Sequence, residues 1–234
     1  EAPDLAVIAT PPDTIPGLIG QLGARGTKAA VVITAGFGEG EDGEGDGSSR
    51  RARMTEAARP HLLRIAGPNC VGLIVPGIGL NASFAHLTPA PGKIAFLSQG
   101  RGIGFSHLVS MGDMADVDFG DLLDYLGRDP KVEAIVLYIE AVTHARKFMS
   151  AARAAARLKP VVVVKSGRHA EGARAAASHT GAMAGSDAVY GAAFQRAGLL
   201  RAFTLEEMFD AVETLATARR PDGDRVAIVS NGGG

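Results

Sequence analysis

The sequence predicts a mainly parallel α/β fold. Short Val- and Ile-rich runs recur along it: "LAVIAT", "AAVVITA", "KIAFLS", "VEAIVLYIE", "PVVVVKSG" and "RVAIVSN". They lack the polar alternation of a half-exposed sheet, as expected of strands covered on both faces. Helical patterns lie between several of them, and strands alternating with helices imply βαβ connections and a parallel sheet.

Each element has its own signal. "LAVIAT" and "AAVVITA" are buried strands of a first α/β unit. "GEGEDGEGDGSSRR" follows them, rich in glycine and acid, and reads as a solvated loop. Its acids lack the spacing and terminal glutamate of an EF-hand. Leu87 to Gly92 carries Pro89, Pro91 and Gly92 and punctuates the chain before "KIAFLS". Glu140 ends "VEAIVLYIE", and Lys165 and Arg168 end the "PVVVVKSGR" run. A helix is expected to begin near Ser186 and Asp187. Thr204 to Ala218 is the clearest helix. Thr204 with Glu207 makes a capping box, and Leu205, Met208, Phe209, Val212 and Leu215 form one apolar stripe. "ARRPDGD" breaks the chain again before "RVAIVSN". The expected division is therefore 1–88, 89–220 and the opening of a third unit at 221–234. Both ends read as cuts through a fold, which suggests a fragment.

Composition narrows the function. At 234 residues and 46% hydrophobic content, a sizeable core is available. A formal net charge of -1 gives no electrostatic case for nucleic acid or an anionic membrane. The absence of tryptophan and an aromatic content of 5% argue against base stacking. The one cysteine, Cys70, precludes an internal disulfide framework and suits a reducing cytoplasm. No apolar run is long enough to span a bilayer.

The candidate chemistry gathers at strand ends. Polar groups at the carboxyl ends of parallel strands point into ligand crevices. One rim could thus collect Glu140, Lys165, Arg168, the loop "SHTGAMAGSD" with His179, and a helix start. These parts suit phosphoryl transfer through histidine. Neutral imidazole is a good nucleophile near pH 7. A carboxylate on one ring nitrogen fixes the tautomer and stabilises the charge that develops. Glycines and a helix N-terminus favour a phosphate. The plainer readings stand beside this one: His179 as a loop residue, Glu140 as a helix cap or a partner of Arg146, Lys165 and Arg168 as solvated cations. His61, His86, His107, His144 and His169 show no pairing pattern and read as structural. No pair has zinc-site spacing, and Cys70 reads as a small buried residue.

Five stretches carry a resemblance to a known family: "GPNCVGLIVP", "GIGFSHLVSMGDMADVDFGDLLDYL", "YIEAV", "PVVVVKSGR" and "SHTGAMAGSDAVYGAAFQRAG". In this order they resemble the NDP-forming acyl-CoA synthetases of the ADP-forming acetyl-CoA synthetase type, relatives of the succinyl-CoA synthetase alpha subunit. The resemblance covers nearly the whole chain. It implies an incomplete Rossmann-like CoA-binding domain (1–88) followed by a flavodoxin-like, succinyl-CoA synthetase-like catalytic domain (89–220). It implies a ligase that makes acyl-CoA from a carboxylic acid, CoA and ATP or GTP through acyl-phosphate and phosphohistidine intermediates.

The implied site residues follow position by position. His179 matches the phosphohistidine and Glu140 the glutamate that steadies it. Thr10, Pro11, Ile33, Thr34 and Ala35 match strand ends that contact CoA, and Asn69 matches a residue at the domain junction. Ser98, Gln99, Ser178, Thr180 and Gly181 are the implied phosphate contacts. CoA and ATP/ADP with magnesium are the implied ligands, the nucleotide through ATP-grasp domains in cis or in a separate subunit. A homo- or hetero-oligomer is expected, with no nucleic acid and no membrane.

Two departures matter. The family's glycine-rich phosphate loop, expected before "EAPDLAVIAT", is not in this sequence. After "LSQ" the family continues into a helix of several turns, whereas here "LSQ" runs directly into "GRGIGFS". Strand then follows strand with no room for the crossover of a parallel pair. The favoured expectation is that intervening residues are absent from the sequence; the alternative is a lost phosphate-binding helix. The competing functions are a CoA- or acyl-CoA-sensing regulatory module of a fused protein acetyltransferase, and a docking partner within a larger synthetase complex.

Overall fold

The computed structural model describes residues 2–37, 47–86, 89–97, 105–167 and 186–217. Two sheets organise them. The first comes from β1 (Leu5–Ile8), α1 (Ile15–Ala24), β2 (Ala29–Val32), α2 (Gly47–Ala58) and β3 (Arg64–Ala66). Its strands are parallel in the order β1-β2-β3. Ile15 and Ile19 of α1 and Met54 and Ala58 of α2 bury Ile8, Ala30, Val32 and Ile65 on one face. The opposite face carries Val31, which meets Cys70 and Ala82.

Ala82 lies in a hairpin of β4 (Gly72–Val75) and β5 (Leu80–Ser83). This hairpin belongs by hydrogen bonding to the second sheet, whose strand order is β10-β9-β8-β6-β7-β4-β5. The remaining strands are β6 (Pro91–Leu97), β7 (Phe105–Val109), β8 (Ala134–Ile139), β9 (Val161–Lys165) and β10 (Leu200–Ala202). From β10 to β7 every pairing is parallel; β4 runs against that direction, and β5, antiparallel to β4, returns to it. The helices are α3 (Phe119–Arg128), α4 (Ala145–Leu158), α5 (Asp187–Ala197) and α6 (Leu205–Thr217). Leu123, Phe148, Ala152 and Phe194 of α3, α4 and α5 cover Ile135, Leu137, Ile139, Val161 and Val163. Met208 and Val212 of α6 cover Val136, Val162 and Val164 on the other face. Adjacent residues of β8 and β9 are thus buried on opposite faces, which is why these strands read as unbroken apolar runs.

Three expectations need adjustment. The apolar stripe of α6 is narrower than its sequence suggests. Met208 and Val212 are buried, but Leu205 is 49% and Phe209 38% exposed. They flank the side of the helix that meets the sheet, and only part of a five-residue stripe fits one contact face. The cap of α6 also reaches further than a simple box. Glu207 N–H donates to Thr204 Oγ1 at 3.0 Å, while the Glu207 carboxylate accepts from Phe203 N–H at 2.6 Å. Finally, β6 and β7 are parallel neighbours although only residues 98–104 join them. Residues 98–104 lie outside the described residues. The run "RVAIVSN" lies outside the described residues.

Candidate functional site

Chain direction places the candidate residues. In a parallel sheet every strand leaves at the same rim, where ligands bind. In the small sheet the chain leaves β1 toward Thr10 and Pro11, and leaves β2 through Ile33, Thr34 and Ala35. Thr34 Oγ1 donates to the Thr10 carbonyl at 2.8 Å and locks the two strand ends together. Ile33 N–H extends the ladder to the Ile8 carbonyl at 2.9 Å. Thr10, Pro11 and Ala35 stay exposed. This rim offers open backbone and small side chains, an arrangement that fits the approach of a long polar ligand such as CoA.

Asn69 joins the same rim from a separate loop. Its backbone N–H donates to the Thr34 carbonyl at 3.0 Å, and its side-chain amide lies 3.3 Å from Asp113 Oδ1. Asn69 adopts φ 57, and Gly67 before it φ 99. Segment 110–117, which leaves the same rim of β7, wraps this loop. Asp113 N–H donates to the Pro68 carbonyl at 2.9 Å, Ala115 N–H to that of Gly67 at 3.0 Å, and Val71 N–H to Ser110 Oγ at 2.9 Å. Hence Asn69 does sit at the junction of the two sheets.

Two ion pairs near this junction carried no signal in the sequence. Arg51 of α2 lies 3.3 Å from Asp113 Oδ2 and 3.4 Å from the Phe37 carbonyl. Arg50 lies 2.7 Å from Asp13 Oδ1. Burial pushes the Asp113 carboxyl above its ordinary range, against the opposing pull of Asn69 and Arg51. These partners are distant in sequence, and no spacing announces them. Cys70, next along the chain, is 4% exposed, and its Sγ lies 3.3 Å from the Val32 carbonyl. Burial raises its thiol to about 11, which suits packing rather than nucleophilic chemistry.

The large sheet forms the second half of the site. Glu140 stands half-buried immediately after β8, and Lys165 ends β9, paired in register with Ile139. Lys165 is 4% exposed, so it is not the solvated cation of the plainer reading. Its ammonium donates to the Ser166 carbonyl at 2.5 Å and lies 4.9 Å from the centroid of the Tyr190 ring. Burial lowers its pKa, opposed by the charges of Asp187 and Glu140 and reinforced by Arg201. The start of α5 is clamped to the same rim. Asp187 Oδ1 meets Arg201 Nη2 at 2.5 Å, and the Tyr190 hydroxyl lies 3.3 Å from Val142 N. Gly191 leaves space for Arg201: a Cβ there would come within 2.6 Å of the guanidinium. The structure therefore brings Glu140, Lys165 and the α5 start together as the sequence suggested. It adds Tyr190 and Arg201, which lie within apolar patterns and gave no hint of their roles. His179, Ser178, Thr180, Gly181, Ser98, Gln99, Arg168 and His169 lie outside the described residues.

Away from these rims, His144 does have a partner: its Nδ1 lies 3.0 Å from the buried Asp118 carboxylate, which caps α3. Lys147 and Asp121 complete that network. A groove of about 630 Å³ opens nearby, lined by Thr55, Arg59, Leu62, Asp116, His144 and Lys147 among others, and none of the sequence-predicted site residues lines it. Among the described residues no cluster could hold a metal ion, and no helix is long and apolar enough to cross a membrane.

Comparison with known proteins accounts for both halves. A succinyl-CoA ligase like flavodoxin domain matches residues 91–215, and a CoA binding domain matches residues 1–76. The alpha subunit of ADP-forming acetate–CoA ligase I from Pyrococcus furiosus is 40% identical over 99% of this chain and 52% of its own length. ADP-forming acetate–CoA ligase I from Archaeoglobus fulgidus is 39% identical over 99% of this chain and 35% of its own. The chain thus spans about half or less of the curated relatives it matches. These alignments run over 245 and 244 positions, more than the 234 residues of the chain, so the relatives carry extra residues within the matched region. Among solved structures, a dinucleotide-forming acetyl-coenzyme A synthetase 1 from Ca. Korarchaeum cryptofilum, in complex with phosphate and ADP, superposes with a TM-score of 0.85. It is 37% identical, covering 95% of this chain and 50% of that one. A CoA-binding unit whose strand ends meet the carboxyl rim of a flavodoxin-like sheet, with whole-chain identity near 40%, places this chain in the NDP-forming acyl-CoA synthetase family.

Proposed function

We propose that this chain is part of an acid–CoA ligase that makes acyl-CoA from a carboxylic acid, CoA and ATP or GTP. The observation that carries the proposal is the shared rim: the Thr10–Thr34–Asn69 group abuts the end of β7, while Glu140 and Lys165 end β8 and β9 on the same side. A ligand held on the first group can present its reactive end to the second.

The chemistry then divides among residues. In the acyl-CoA-consuming direction, phosphate oxygen attacks the thioester carbonyl; the C–S bond breaks, giving acyl phosphate and CoA thiol. His179 takes the phosphoryl group and releases the carboxylate. The nucleoside diphosphate removes it to form the triphosphate. Glu140, accepting a hydrogen bond from one ring nitrogen, holds the tautomer and stabilises the ring as it gains charge. Thr10, Pro11, Ile33, Thr34, Ala35 and Asn69 hold CoA. Ser98, Gln99, Ser178, Thr180 and Gly181 line the phosphoryl path. Residues 1–88 form the CoA-binding part, its β4–β5 hairpin extending the sheet of the catalytic part at 89–220, with a further unit opening at 221–234. Nucleotide and magnesium bind to ATP-grasp domains in cis or in a separate subunit, in a homo- or hetero-oligomer. The cytoplasm suits a free, buried thiol.

The test uses the full-length protein with labelled ATP and magnesium. Acid-labile, base-stable label is expected on wild type and lost in His179→Ala. Equal labelling of the two ends the proposal. A second reading keeps the fold without turnover: a CoA- or acyl-CoA-sensing regulatory module of a protein acetyltransferase. The sequence favours it at one place: "LSQ" runs directly into "GRGIGFS", where the family continues into a phosphate-facing helix. This reading predicts CoA binding with no label on either protein.

A further inference from the structure

The second rim contains a charge whose setting is unusual for a surface-type residue. Lysine is almost never fully buried unless paired, yet Lys165 is 4% exposed. Its ammonium offers three donors. Among the described residues its partners are the Ser166 carbonyl at 2.5 Å and the face of Tyr190 at 4.9 Å. No carboxylate of the described residues stands within ion-pair distance of it. The nearby charges come from three elements: Glu140 after β8, Asp187 at the start of α5 and Arg201 on β10. Asp187 is committed to Arg201 at 2.5 Å, so that pair neutralises itself.

The aromatic ring beneath the ammonium is itself fixed. Tyr190 packs 5.7 Å from the Phe194 ring, and its hydroxyl reaches the backbone at Val142. A buried cation on a rigid aromatic support is a preorganised anion contact: its position is set before the ligand arrives. It also stands at the carboxyl end of a parallel strand, where anionic ligands of such sheets bind. Removing a cation from water is costly unless an anion answers it, and a dianionic phosphoryl group would do so.

We propose that Lys165, supported by Tyr190, is the residue of this rim that binds a phosphoryl-type anion, either free phosphate or the phosphoryl group of an acyl phosphate. The choice of ligand class rests on the acid–CoA ligase reading; the placement of the cation does not. The lowered pKa of Lys165 agrees with a charge that the surrounding carboxylates only partly balance.

The experiment titrates inorganic phosphate into the full-length protein, followed by ³¹P NMR line broadening, with and without acetyl phosphate as competitor. Lys165→Met keeps the chain's volume and removes the charge; Tyr190→Leu removes the support. Lys165→Met is expected to weaken phosphate binding at least tenfold, and Tyr190→Leu several-fold, with CoA affinity unchanged. Displacement by acetyl phosphate identifies the acyl phosphate as a ligand of the same site; no displacement assigns the site to free phosphate. Wild-type affinity should also fall as pH rises toward the ordinary lysine range, a loss that needs no variant and holds even should Lys165→Met not fold. A folded Lys165→Met that binds phosphate like wild type, or a wild-type affinity that does not change with alkaline pH, overturns the proposal. The two readings separate cleanly. Label on His179 with phosphate binding indifferent to Lys165 leaves the ligase and removes this role. Phosphate binding lost in Lys165→Met with no label on His179 leaves the anion site and removes the ligase.

Discussion

Replacing Gly112 by alanine tests how tightly the two sheets are joined at the loop that holds Asn69. Gly112 has φ 55, and a Cβ there would lie 2.0 Å from the Pro68 carbonyl oxygen and 2.7 Å from that of Asn69. Both obstacles are backbone, so the loop must retreat by about 1 Å or more. That movement strains the bonds from Asp113 N–H to Pro68 and from Asn69 N–H to Thr34. Each such bond contributes about 0.5–1.5 kcal/mol net, and the left-handed backbone costs an alanine about 1–2 kcal/mol. The sum is about 2–5 kcal/mol. Gly79 is the control, with φ 68 and nothing within 4 Å of its added Cβ, so Gly79→Ala carries the backbone term alone. At about 2–4 °C per kcal/mol for a domain of this size, Gly112→Ala should melt about 5–15 °C below wild type and clearly below Gly79→Ala. Isothermal titration should show CoA affinity falling tenfold or more in Gly112→Ala and unchanged in Gly79→Ala. Equal melting losses in the two variants would show that the junction yields freely. The steric argument would then fail.

Cys70 should be slow to alkylate in the native state. At pH 8 a thiol held near 11 is about a hundredfold less ionised than one at the ordinary 9.0, before access is considered; iodoacetamide labelling as fast in the folded as in the urea-unfolded protein would contradict this. Asp113→Asn should be no less stable than wild type at neutral pH. The folded-state pKa of Asp113 lies above the unfolded value, so its contribution is full below about 3.8 and is lost as pH rises through the raised pKa. Urea melts between pH 4 and 7 should show wild type losing ground to the variant, and a parallel pair of curves would refute the assignment. Asp118→Ala should cost about 2–4 kcal/mol, since it removes the α3 cap and leaves Lys147 without a buried carboxylate. Lys93→Ala, at the exposed pair with Glu133, should cost under about 1 kcal/mol; similar losses in both would show that burial is not what strengthens the network.

Local pattern was enough to determine the class of fold and the address of the rim. Unbroken Val and Ile runs between helical patterns read as strands buried on both faces, and the carboxyl ends of neighbouring parallel strands deliver Glu140 and Lys165 to one side. The short strands β3, β4, β5 and β10, of three or four residues each, carry too little periodicity to read. Partnership was the work of tertiary structure. Arg51 finds Asp113 across 62 residues, and Asn69 finds it across 44. Tyr190 looks like core until Lys165 is seen against its ring. A strand's environment is written in its own side chains, so it shows in sequence. A charge's partner depends on which distant backbones the packing brings within a few ångströms, and no local stretch of sequence contains that distance.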